Sequence, residues 1–314
     1  MQRLILESLK CLALQEYQWG NTMDLEIALR RIDELTNIKH LNTDSVSFIV
    51  INVESMLNVL WDDEVIITLT DESSNAIFRT RLAETIIKNI ITDLSGKTLY
   101  FVNSSSVNYF NRKYHANWND TKIRGKQVHY GSSNIYAMVN KTLAKFANAS
   151  KNIYYLDSIY EPNWMTYIIT RFETGKGLYL TRDYLDYTLA PYMKIYDATS
   201  VYRMEAGNNR ISPIKHDKLL PIYICLNGCA RHHNFGGAKG YGYHRSAKTI
   251  EEMIRKNGED EGWIDKLFNF EVELLEPFHH MRAVFDLSKI EEVEPEAYAD
   301  MVDIFKKVKS GEAT

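Results

Sequence analysis

Cysteine is scarce in this chain of 314 residues: Cys11, Cys225 and Cys229 are the full set. Three is odd and sparse, which excludes a disulfide-stapled scaffold and suits a reducing compartment. Long apolar runs are also missing, and none approaches the roughly 20 residues that a membrane-spanning helix needs. The opening stretch Met1-Gln-Arg-Leu-Ile-Leu-Glu-Ser-Leu-Lys is too charged, and its apolar run too short, for a secretion signal. The expectation is a cytoplasmic protein with no membrane partner. No repeat or low-complexity tract is visible, and no Walker-type or Ser/His/Asp arrangement stands out.

Apolar residues make up 45% and charged residues 25%, an ordinary globular balance with material for a core. The length suits one large domain or two modest ones. A net charge of -4 by itself argues against a general polyanion binder, but the charge is unevenly spread. From Asn103 to Lys151 there are eight Lys/Arg against one acid, Asp120, a local charge of about +7. From Glu251 to Asp300 there are fifteen acids against five Lys/Arg, about -10. Such a molecule presents one face to phosphate and keeps another away from it.

Apolar spacing predicts helices over residues 1–45, 79–94, Asn134–Ala149 and Asn163–Thr174. Dense β-branched or aromatic runs predict strands at Val46–Val53, Thr98–Asn103, Asn152–Asp157 and Leu178–Thr181, with short candidates at Lys194–Tyr196 and Val201–Met204. Alternating strands and helices predict an α/β fold with a parallel sheet. The expected organisation is a helical N-terminal extension (1–45), an α/β core (46–213) holding a basic, arch-like segment (104–134), and a helical, acidic C-terminal region (214–314).

Three stretches carry a resemblance. They are Val46-Ser-Phe-Ile-Val-Ile-Asn52-Val-Glu54, then Leu99-Tyr-Phe-Val-Asn103 followed by Asn111-Arg-Lys-Tyr114-His-Ala-Asn-Trp118, and Gly236-Gly-Ala-Lys-Gly240-Tyr-Gly242 leading into a helix. Their order and spacing resemble the flap endonuclease/5′-3′ exonuclease family, a branch of the PIN-like fold, across roughly residues 46–257. That family implies two divalent metals held by a cluster of Asp and Glu, because hard cations need anionic oxygen ligands. Here most of the matching acids are replaced. Asn52 and Asn103 stand at the ends of the first two strands. Glu161-Pro-Asn163-Trp164 keeps one acid and loses two. After the fourth strand Asp183 remains, but Leu185 fills the second acidic place. Asp186, one position later, is expected to point elsewhere on a helix. Ala230 and His233 fill the last two acidic places.

Glu161 and Asp183, with Glu54 as a conceivable third, leave at most one weakly held Mg²⁺ or Mn²⁺, and no other cofactor is expected. Cys225-x₃-Cys229-x₂-His232-His233 does not match the closed zinc templates. The remaining candidate function is binding. Arg112, Lys113, Tyr114, Lys122, Arg124 and Lys126 interleave cations with aromatics, a pattern that fits single-stranded or branched DNA. Lys239, Gly240, Gly242, Arg245 and Lys248 form a glycine turn and helix start of helix–hairpin–helix type, able to hold a phosphate. Two rivals stand beside this expectation. One is an active nuclease with a reduced metal site. The other is a protein-interaction fold whose acidic C-terminal region docks a partner. The family is common in bacteriophages, which would make the compartment the host cytoplasm.

Overall fold

The structure, a computed structural model, describes residues 41, 43–57, 75–104, 134–181, 184–189, 192–197, 226, 243–258 and 286–312. The elements in chain order are β1 (Phe48–Asn52), α1 (Val53–Met56), α2 (Asn75–Asp93), β2 (Thr98–Ser104), α3 (Asn134–Ala149), β3 (Ile153–Ser158), α4 (Pro162–Phe172) and β4 (Gly177–Thr181). A 3₁₀ turn (Tyr184–Leu189), β5 (Lys194–Asp197), α5 (Tyr243–Asn257), a short 3₁₀ turn (Leu287–Lys289), α6 (Ile290–Val293) and α7 (Pro295–Ser310) follow.

The five strands are all parallel and ordered β3-β2-β1-β4-β5. The chain steps from β1 to β2 to β3 in one direction, then returns past β1 to β4. Parallel crossovers are right-handed almost without exception, so opposite directions of travel place helices on opposite faces. The cores follow this rule. One face carries Ile49, Ile51, Leu99, Phe101, Leu178 and Leu180 against Ala83, Ile86, Ile87 and Ile90 of α2 and Val139 and Leu143 of α3. The other carries Phe48, Val50, Tyr100, Val102 and Tyr179 against Trp164, Met165 and Ile168 of α4 and Ala297, Met301 and Phe305 of α7. With both faces covered, each strand needs apolar side chains at consecutive positions, which is why the strand runs do not alternate.

Residues 41 and 43–45 hold no helix; Asp44 and Ser45 form a turn that feeds β1, closed by Val46 N–H donating to the Thr43 carbonyl at 3.0 Å. Lys97 Nζ reinforces it through the Thr43 and Val46 carbonyls at 2.8 and 3.1 Å. The expected helix over 1–40 and the strand candidate Val201–Met204 lie outside the described residues. Gly175, at φ +97, turns the chain between α4 and β4 so close to Ser47 that a Cβ there would lie 2.3 Å from its Oγ.

Helix α7 closes the second face. Ala297, Met301 and Phe305 recur every fourth residue and form its buried stripe. Phe305 stacks on Phe172 with centroids 5.5 Å apart. Polar ties fix both ends: Tyr160 hydroxyl donates to Asp300 Oδ2 at 2.7 Å, and Lys309 Nζ reaches Tyr100 hydroxyl and Glu173 Oε1 at 2.5 Å each. Burial, followed by its bond to Glu173, pushes the Tyr100 hydroxyl's pKa up, so it stays protonated and donates. Phe305→Ala is expected to cost about 3–5 kcal/mol, the range for removing a buried aromatic ring. Urea unfolding measures it, and a loss below about 1 kcal/mol would show that α7 contributes little to the core.

Candidate functional site

The strand order reverses between β1 and β4. In parallel sheets such a switch point opens a crevice outside the carboxyl ends of the two strands, and ligands bind there. Asn52 ends β1 and Thr181 ends β4. The register pairs Ile51 with Leu180, so one step further brings Asn52 level with Thr181. Both side chains then fall on the face that carries Val50 and Tyr179, because strand side chains alternate with period two.

Asp186 completes this place. Asn52 Nδ2 donates to Asp186 Oδ2 at 2.8 Å, and the Thr181 hydroxyl donates to the same oxygen. With the Thr181 proton committed, Ser55 is the donor in its 3.1 Å contact with Thr181. Asn52 Oδ1 accepts the Ser55 N–H at 2.9 Å and so caps α1. Asn52 is 1% and Asp186 3% exposed, so the pair is sealed from bulk water. The Tyr179 hydroxyl, fully buried beside Asp186, Asn52 and Thr166, meets no hydrogen bond of good geometry among the described residues. Burial and the Asp186 charge raise its pKa well above the usual phenol range.

The sequence expectation for Asp186 is corrected here. It does not point away on an α-helix. Its segment is a 3₁₀ turn with about three residues per turn, and this tighter winding carries residue 186 back over the end of β1. Burial pushes its carboxyl up from 3.8 to about 6, opposed by hydrogen bonds from Thr181 and Asn52 and reinforced by the negative charge of Glu54. Glu54 lies half-buried on α1.

A second polar group lies at the ends of β2 and β3, on the opposite face. Asn103 pairs in register with Asp157. Asn103 Nδ2 lies 3.4 Å from Asp157 Oδ1, 3.2 Å from the Tyr155 hydroxyl and 3.4 Å from Asn140 Oδ1. Its two hydrogens serve three acceptors, which explains the long contacts. Asn140 Nδ2 donates to Asp157 Oδ2 at 3.1 Å, and the Tyr155 hydroxyl donates to Asn140 Oδ1. Asp157 therefore has an amide on each oxygen.

The other sequence candidates fall as follows. Glu161 is the N-cap residue of α4 but makes no side-chain cap bond, and Pro162 fills the first turn. Asn163 donates to Thr188 Oγ1 at 3.3 Å and accepts the Trp164 N–H at 3.0 Å. Trp164 is 1% exposed and belongs to the core. Leu185 lies in the 3₁₀ turn. Arg245 and Lys248 are exposed on α5, with Lys248 3.8 Å from Glu252 across one helical turn. Asp183, Ala230, His233, Arg112, Lys113, Tyr114, Lys122, Arg124, Lys126, Lys239, Gly240 and Gly242 lie outside the described residues.

The two metals that the family resemblance implies would need a cluster of anionic oxygen ligands. Among the described residues no group of three or more His, Cys, Asp or Glu could hold a metal ion. Asn52 turns N–H hydrogens toward the buried Asp186 carboxylate, and Asn103 does the same for Asp157. These residues do not fit a two-metal cluster. Sequence reading missed Asp186, Thr181, Asn140 and Asp157 as site members. Asp157 had a signal, since it precedes the end of β3 as Asn103 precedes the end of β2.

A pH dependence follows from Asp186. Its carboxyl titrates higher in the folded than in the unfolded chain, so between about pH 4 and 6 the native state binds more protons. Its contribution is fully present below that window and is lost as pH rises through about 6. Asp186→Asn keeps an oxygen for Asn52 and Thr181 and removes the buried charge. The expected result is roughly 2–3 kcal/mol more stability at neutral pH, with little change below pH 4. Unfolding curves across pH check it; an Asp186→Asn variant less stable at neutral pH would show that the ionised carboxylate is favoured in place.

No protein-family model matches the chain, and no curated protein matches it. Among solved structures, the T5 D15 protein, crystallised with metal ions, is similar with a TM-score of 0.56. Identity is 12%, over 85% of this chain and 99% of that one. At that identity the likeness concerns the fold alone: a central parallel sheet of five strands flanked by helices.

Proposed function

We propose that this chain is a nucleic-acid-binding relative of the 5′-3′ exonucleases and flap endonucleases that no longer hydrolyses its ligand. The Asn52–Asp186 pair carries this reading. At the switch point, where the resemblance implies a metal-binding carboxylate, an amide donates its N–H inward at 2.8 Å. Two-metal hydrolysis sets two dications about 4 Å apart, and a donating amide presents hydrogens, not anionic lone pairs, to a cation. The fold shared with a protein crystallised with metal ions sharpens the contrast.

Two features support binding. The basic, aromatic segment leaves the sheet at the carboxyl end of β2, immediately after Asn103 and Ser104, and rejoins it at α3. It is thus tethered to the same edge as the switch point. The glycine turn Gly236–Gly242 runs directly into α5. DNA, single-stranded or branched, is the ligand that this chemistry suits, and the role is accessory to viral DNA replication, recombination or transcription. A second reading keeps one observation. Glu54 acts on Asp186 through its charge, so two acids share the switch point and a reduced metal site in an active nuclease would start there.

A labelled 5′-flap DNA, incubated with the protein in Mn²⁺ and run on native and denaturing gels, tests the proposal. The expected result is a shifted but intact strand, with affinity that falls steeply with salt. Reversing charge at Arg112, Lys113 and Lys122 together should weaken binding by about tenfold or more and flatten the salt slope by about three. Cleaved product would establish the second reading. A strand neither shifted nor cut would show that the fold serves protein contacts, with the acidic C-terminal region as the docking surface.

A further inference from the structure

We infer that Asn52 takes the place of a divalent cation in this fold, and that the carboxyl edge of the sheet is stable without metal because amides face its acids. This rests on the reading that two-metal chemistry is lost, and deepens it.

A buried carboxylate needs donors or an opposite charge, or it costs several kcal/mol. Asp186 receives its donors from Asn52 and Thr181. Asn52 is suited to this in a way Asp is not. Its oxygen caps α1 while its nitrogen donates to Asp186. An Asp at position 52 would keep the cap, because a carboxylate accepts the Ser55 N–H. It would lose the donor and set a second carboxylate oxygen about 2.8 Å from Asp186 Oδ2. Like charges that close cannot both ionise unless a cation lies between them. An acid at 52 therefore demands a cation or an extra proton held against neutral pH, and the amide removes that demand. The same arrangement recurs independently at Asn103, where two amides face Asp157 at 3.4 and 3.1 Å. The two places lie on opposite faces and share no residue, so the amide-facing-acid arrangement stands twice in this sheet.

The test is thermal unfolding of the full chain, without nucleic acid, in EDTA and in millimolar Mn²⁺ at neutral pH. The wild-type midpoint should be the same in both. Asn52→Asp should fall by roughly 10 °C in EDTA and regain most of that loss in Mn²⁺. The exchange variant Asn52→Asp with Asp186→Asn restores one acid facing one amide. It should return to within a few degrees of wild type in EDTA and ignore Mn²⁺. Asn52→Asp as stable as wild type in EDTA would overturn the inference, as would a wild-type midpoint that climbs by about 5 °C in Mn²⁺. If Asn52→Asp alone does not fold, the exchange variant decides. Folding in EDTA supports the inference, and a requirement for Mn²⁺ defeats it. Cleavage of flap DNA by a wild-type chain whose midpoint ignores Mn²⁺ would refute the functional reading and leave the charge replacement standing.

Discussion

No side chain along β1 is more than 3% exposed, from Phe48 to Asn52. The strand lies between β2 and β4 with helices over both faces, and its register is held from both sides. A slip of one residue would turn Ile49 and Ile51 toward the α4 side and Phe48 and Val50 toward α2. Neither core would accept the exchange, since one holds large aromatics and the other aliphatic side chains. That constraint fixes where Asn52 ends. From there its level with Thr181, its bond to Asp186 and its cap on α1 all follow.

The framework was legible because it rests on composition and period. β-branched runs marked the strands, and apolar residues at helical spacing marked α2 and α3, since both patterns express burial. The amides Asn52 and Asn103 at the strand ends were legible as well, because a strand end can be counted to. What faces each amide was not. Asn103 meets Asp157 through a register that no local pattern encodes. Asp186 was set aside because α-helical spacing sends it outward, and only the 3₁₀ winding after β4 returns it. Trp164 shows the converse: counted as a vacated acidic position, it is a buried side chain of the core. A motif position names an alignment slot, whereas packing decides what the side chain does.

The polar groups at the carboxyl edge share a logic with the ties at the other end of the sheet. Lys309 sits 4.5 Å from the Tyr154 ring centroid and bonds Glu173 and Tyr100. There a partly exposed cation meets an acid near the surface, where the pair stays in reach of water. At the switch point the acid is sealed, and its partners are short, uncharged side chains with few rotamers. Burial favours the amide there, because a lone charge would cost too much.

Helix α7 has a consequence for how the chain is made. The five described strands precede it in sequence, yet it packs beside α4 over Tyr100 and Tyr154 on the aromatic face. A ribosome delivers the described strands, α4 and the opposite helices α2 and α3 before α7, the piece that completes the cover of this face. During that interval the nascent sheet shows Tyr100 and its stacked neighbour Tyr154, with centroids 4.9 Å apart, to whatever is nearby. Exposed aromatic sheet surface is what chaperones bind and what seeds aggregation. The time for which that surface stays open is set by the synthesis of the residues between β5 and α7.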